Sequence, residues 1–195
     1  MTVTQRIGGR SRRPAAIEPG STEACRPILL LGDELGCLHP LRSHPGIRVV
    51  TSGDSAHGQP RAAVIQIDLS SVTDRTELKA RLHAQIPICT DLCERAPSIQ
   101  RLLLVIEGPK LVPESVLHRM CDAIGDRIHR HLEQRCGTYV ILTILLVTGC
   151  DDPPLLAHRT CDRALQPQGI DAISTLTWRE IAQSPIGYTA ASYYG

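Results

Sequence analysis

The sequence predicts a three-layer α/β/α sandwich built on a mostly parallel sheet, and three observations carry that expectation. Near-continuous apolar runs at 27–32 (PILLLG), 62–67 (AAVIQI), 102–106 (LLLVI) and 139–147 (YVILTILLV) have the character of strands buried on both faces. Helical patterns alternate with them, as in successive β-α-β units. The runs close on Gly32, Asp68 and Gly108, residues suited to a sharp strand-to-helix turn.

Taken in order, residues 1–24 are polar and carry Arg6, Arg10, Arg12 and Arg13 among Gly and Pro, which reads as a disordered basic arm. The packed domain is expected over 25–178. Its first strand, 27–32, runs into a short helix or turn over 35–41 that Pro40 should limit. Ile47–Val50 is the second strand, and a polar loop at 51–60 precedes the third, which Asp68 closes. Thr73 or Asp74 can cap the next helix, with Glu77 placed for a capping box. Leu78, Leu82, Ile86 and Cys89 mark its buried face, and Pro87 should kink it. After the strand at 102–106, Pro113 opens a long helix in the first-turn position. Leu117, Met120, Cys121, Ile124, Ile128 and Leu132 recur on it at steps of three and four, and Gly137 ends it. Asp151-Asp152-Pro153-Pro154 begins a helix through Leu165, and 170–176 supplies a last strand. Residues 179–195 read as a tail.

Composition narrows the function. The net charge of +1 argues against a global field for nucleic acid or a membrane surface. With no Phe and 3% aromatics, base-stacking platforms are absent. The eight cysteines come without an apolar leader, so reduced thiols in a cytoplasm are expected. The spacings Cys89/Cys93, His118/Cys121 and His158/Cys161 do not make the paired ligand sets of a structural metal site, and no metal is expected.

Two constellations are candidates for chemistry. Gly32 and Gly36 sit where a dinucleotide's phosphates would lie, but Leu38 holds the place of the third glycine, and Asp33 and Glu34 would oppose a phosphate. Asp33, Glu34 and Asp68 all fall at carboxyl ends of strands, where sites in such sheets collect. With Lys110 they bear a loose likeness to a phosphoacceptor receiver domain, although Lys110 follows its proline rather than preceding one. The run at 188–194, YTAASYY, echoes a Tyr-x-x-x-Lys active-site segment, with Ser192 in the lysine place.

The stretch from Ala62 to Ile106 resembles the short-chain dehydrogenase/reductase family in degenerate form. The particular likeness is to the non-catalytic N-terminal flavodoxin-like domain of high-molecular-weight 3-oxoacyl-acyl-carrier-protein reductases. A strand ending in Asp68, a helix with Leu78 and a mid-helix Pro87, and a strand led by Arg101 follow the family's order. The segment from Glu114 to Val147 is similar to its later helix and strand. The resemblance implies a Rossmann-like or flavodoxin-like domain. It sets Glu114 near the family's catalytic tyrosine and His118 near its lysine; neither catalytic residue is present. The expectation is therefore a catalytically inactive domain without a cofactor, serving as a structural or assembly partner in acyl-carrier-protein-linked fatty-acid or polyketide metabolism. Association would run through the long helix, 114–135, with another copy or with an active reductase or synthase. The alternative is an active NADP(H)-dependent 3-oxoacyl reductase with an atypical site at Gly32, Gly36, Asp68, Glu114 and His118.

Overall fold

The computed structural model describes residues 27–51, 59–137, 139–167 and 173–192. The basic arm expected over 1–24 lies outside these, as do parts of the loop at 51–60 and the first residues of the expected last strand.

Six strands form one all-parallel sheet: β1 (Ile28–Gly32), β2 (Ile47–Val49), β3 (Ala62–Asp68), β4 (Arg101–Glu107), β5 (Ile141–Leu146) and β6 (Ile173–Thr177). Their order is β2-β1-β3-β4-β5-β6. This is the flavodoxin-like arrangement, in which the direction of winding reverses between β1 and β3. A sheet wound as 3-2-1-4-5-6 would instead put β2 between β1 and β3. The apolar runs are explained by the layers. Leu29, Ala63, Ile65, Leu102, Leu104, Leu142 and Ile144 face one core, and Ile28, Leu30, Val64, Leu103, Val105 and Leu145 face the other.

The first core is covered by α2 (Arg75–His83), α3 (Gln85–Arg95) and α4 (Glu114–Cys136). Asp74 caps α2 through its carboxylate, which accepts the Glu77 N–H at 3.0 Å. Pro87 does not kink a single helix. The chain divides at Ala84, and Pro87 falls in the first turn of α3, where its missing N–H leaves no helical bond unmade. Pro113 likewise stands just before α4, not within it, and its carbonyl accepts the Val116 N–H. On α4, Leu117, Cys121, Ile124, Ile128 and Leu132 are all buried against the chain's own sheet and α3. Gly125 sits in the same row, where a Cβ would lie 3.1 Å from Ile173 Cγ2. Gly137 closes the helix in a left-handed conformation, φ 60°.

The second core is covered by α1 (His39–Arg42), α5 (Pro153–Leu165), α6 (Trp178–Gln183) and α7 (Ile186–Ser192). Pro40 lies in the first turn of α1 and helps to start it. The stretch from 179 onward is not an open tail through Ser192. Ile181, Ile186 and Ala190 are buried in this core, and a capping box between Thr177 and Glu180 sets the start of α6. Strand β5 is shorter than its apolar run: Tyr139 precedes it, 43% exposed, with its ring edge-on to His129.

Candidate functional site

In an open parallel sheet the crevice for a ligand lies outside the carboxyl ends of the strands, where the winding reverses. Here that point is between β1 and β3, and Gly32 makes it. Its φ is +97°, and a Cβ there would lie 2.2 Å from the Gln66 carbonyl oxygen. Only glycine lets β1 end while pressed this closely on β3. Gly36 has no comparable constraint, since a Cβ would meet nothing within 4 Å and its φ is not positive.

The loop after β1 is tied down from within the chain. Asp33 N–H donates to Gln66 O at 3.0 Å, and Leu35 N–H donates to Gln66 Oε1 at 3.3 Å. Gln66 is 2% exposed, the one polar side chain in the buried interior of β3. The Asp33 carboxylate accepts the Asp68 N–H at 2.8 Å, and the Asp68 carboxylate accepts the Ser70 N–H at 2.9 Å. Glu34 pairs with Arg42 at 3.4 Å. The Asp33 carboxylate thus takes up a backbone N–H at the end of β3, and the negative charge it and Glu34 bring to this turn opposes a bound anion. The chain after the loop is a three-residue 3-10 turn and the four-residue α1, too short to offer an aligned helix dipole to a phosphate.

The crevice itself is open. A groove of about 790 Å³ runs past Gly32, Asp33, Gln66, Arg42 and Arg95. A smaller hollow of about 260 Å³ adjoins it over Leu69, Arg81 and Gln85. Hydrogen bonds from Ser70 hold the Asp68 carboxyl below its ordinary value near 3.8, with the Arg81 charge helping and partial burial opposing. Because the folded value is depressed, this contribution to stability is complete above the unfolded value and disappears as pH falls through the folded one. Urea titrations should therefore find Asp68→Asn less stable than the parent at pH 6. The gap should begin to narrow as pH falls below about 4 and close once pH is below the folded value; a gap that does not narrow contradicts this assignment.

Glu114 and His118 do share a hollow, of about 420 Å³, with Ser115, Arg119 and Thr177. It belongs to the other end of the sheet. His118 Nε2 donates to Thr175 O of β6 at 3.1 Å, and Nδ1 lies 3.1 Å from Asp122 Oδ2. β6 stands four strand spacings from β1, about 19 Å. The residues aligned with a catalytic pair and the turn aligned with a cofactor cradle are thus not brought into one site. Lys110 is exposed in the loop between β4 and α4.

Among the described residues the thiols are poorly placed to act as nucleophiles. Desolvation raises each of the seven described cysteines: Cys37, Cys93 and Cys121 to about 12 and Cys161 to about 11, with Cys89, Cys136 and Cys150 also raised. The reactive form is the thiolate, which this environment disfavours. Among the described residues no group of three or more His, Cys, Asp or Glu could hold a metal ion, and no helix is long and apolar enough to cross a membrane.

The residues that sequence reasoning missed are Gln66, Arg81 and Arg95. Gln66 had a visible signal, a lone amide in a buried strand. The two arginines had none, because their nearness to the crevice depends on how α2 and α3 pack. In comparisons with known proteins, the chain matches no family model, no curated protein and no solved structure.

Proposed function

We propose that the chain is a non-catalytic α/β domain that acts as a structural or assembly partner. The resemblance to reductase-associated domains suggests acyl-carrier-protein-linked metabolism in the cytoplasm as its setting. The observation that carries the reading is the turn after β1, where the Asp33 and Leu35 N–H groups donate to Gln66 and the Asp33 carboxylate accepts the Asp68 N–H of β3. The wide separation of Gly32 from Glu114 and His118 supports it further. Because the apolar stripe of α4 is used on the chain's own sheet, association through this helix would use its outer polar face, with Arg119, Asp122, Asp126, Arg130 and Glu133 exposed.

Calorimetric titration of the full chain with NADPH and with NADH tests the reading. No saturable binding tighter than about 1 mM is expected, the range of fragment-like contacts. A submillimolar Kd for either nucleotide would overturn it in favour of an NADP(H)-dependent oxidoreductase with an atypical site.

A further inference from the structure

We infer that the groove between α2 and α4 receives an acidic amphipathic helix of a partner protein. The inference rests on the assembly reading and deepens it by giving the partner's chemistry. Arg75, Lys79 and His83 stand at i, i+4 and i+8 on α2, one row along one face. Across from them α4 contributes Met120, Ile124 and Arg127, at i, i+4 and i+7. Together with Leu82 in the floor they line a groove of about 590 Å³. Its base is apolar, and its charged groups are all basic.

Among the described residues, Arg75, Lys79 and Arg127 form no ion pair, whereas Arg42 and Arg135 pair with Glu34 and Glu94. Arg127 Nη1 donates instead to His83 Nε2 at 3.2 Å, a contact between two basic groups. Carboxylates are available on both helices at Glu77, Asp122 and Asp126, but none of them lines the groove. Arg75, Lys79 and Arg127 beside an apolar floor are complementary to an apolar stripe flanked by acidic side chains. A concave trough between two helices fits a rod about 10 Å across better than a flat membrane. α2 is nine residues long, so it would face about two and a half turns of the partner.

The test uses the full chain and a fluorescein-labelled helical peptide of about 14 residues carrying Leu on one face and Glu elsewhere. Three comparators are a peptide with Lys for Glu, a peptide with Ser for Leu, and vesicles of phosphatidylserine and phosphatidylcholine. Saturable binding of the Leu/Glu peptide is expected. The double variant Arg75→Glu/Lys79→Glu, at exposed positions, should weaken it about tenfold or more and shift preference to the Lys peptide. The Ser peptide should bind more weakly than the Leu/Glu peptide. The inference is overturned by no saturable binding of the Leu/Glu peptide, by equal binding of the Lys or Ser peptide, or by affinity unchanged in the double variant. Vesicle binding lost in the double variant, without peptide binding, would assign the row to a membrane surface instead and equally overturn it. The nucleotide titration probes the β1 turn, so either result can fail without the other.

Discussion

Replacing Gly32 with alanine is expected to cost about 4 kcal/mol or to prevent folding. Two penalties add at that position. A φ of +97° is strained for any residue with a side chain, and the new Cβ would sit 2.2 Å from the backbone oxygen of Gln66. The obstacle is main chain in the middle of the sheet, so no rotamer change relieves it. The strands would have to part where Asp33 and Gln66 are hydrogen-bonded. Gly36→Ala is the matched control, with open space and no positive φ, and should change stability by less than about 1 kcal/mol. Equilibrium urea unfolding of the two variants measures both. Similar midpoints would mean that the β1 turn is not the constrained point described above.

Ile128→Ala is expected to lower stability by about 3 kcal/mol. Ile128 is fully buried in the middle of the α4 stripe, and truncation would leave a cavity against the sheet. The same substitution separates two roles for that stripe. A stripe spent on the chain's own core loses unfolding free energy on truncation, independent of protein concentration. A stripe that pairs with another chain makes the loss concentration-dependent and changes the mass seen by light scattering. The buried row from Leu117 to Leu132 predicts the first behaviour.

Much of the architecture was legible because its signals are local. Strands buried on both faces appear as unbroken apolar runs, and a 23-residue helix has room for its period to declare itself. The caps at Asp74 and Asp152 and the stop at Gly137 depend on residues a few positions apart. What was missed is either short or distant. Helices α6 and α7 have six and seven residues, fewer than two full turns each, so no periodicity could accumulate. The division at Ala84 was hidden because Pro87 is tolerated in a first turn as readily as it disrupts a helix interior. The candidate site depended most on long-range placement. Glu114 and His118 are four residues apart and line one hollow, but their distance from Gly32 is set by strand order. Gln66 holds Leu35 across 31 residues of sequence, a link that no spacing rule anticipates.

Gln66 also governs how readily the mouth of the sheet can change shape. Its main-chain and side-chain carbonyls both hold the loop after β1, while Asp33 grips β3 in return. Releasing the loop gives up these three hydrogen bonds, about 3 kcal/mol at a net value near 1 kcal/mol each. The opened conformer would then be populated at about one molecule in a hundred or fewer, and a ligand needing it would bind about a hundredfold more weakly than to a preformed site. The turn is closed by default, and an effector acting there must first bear the cost of opening it.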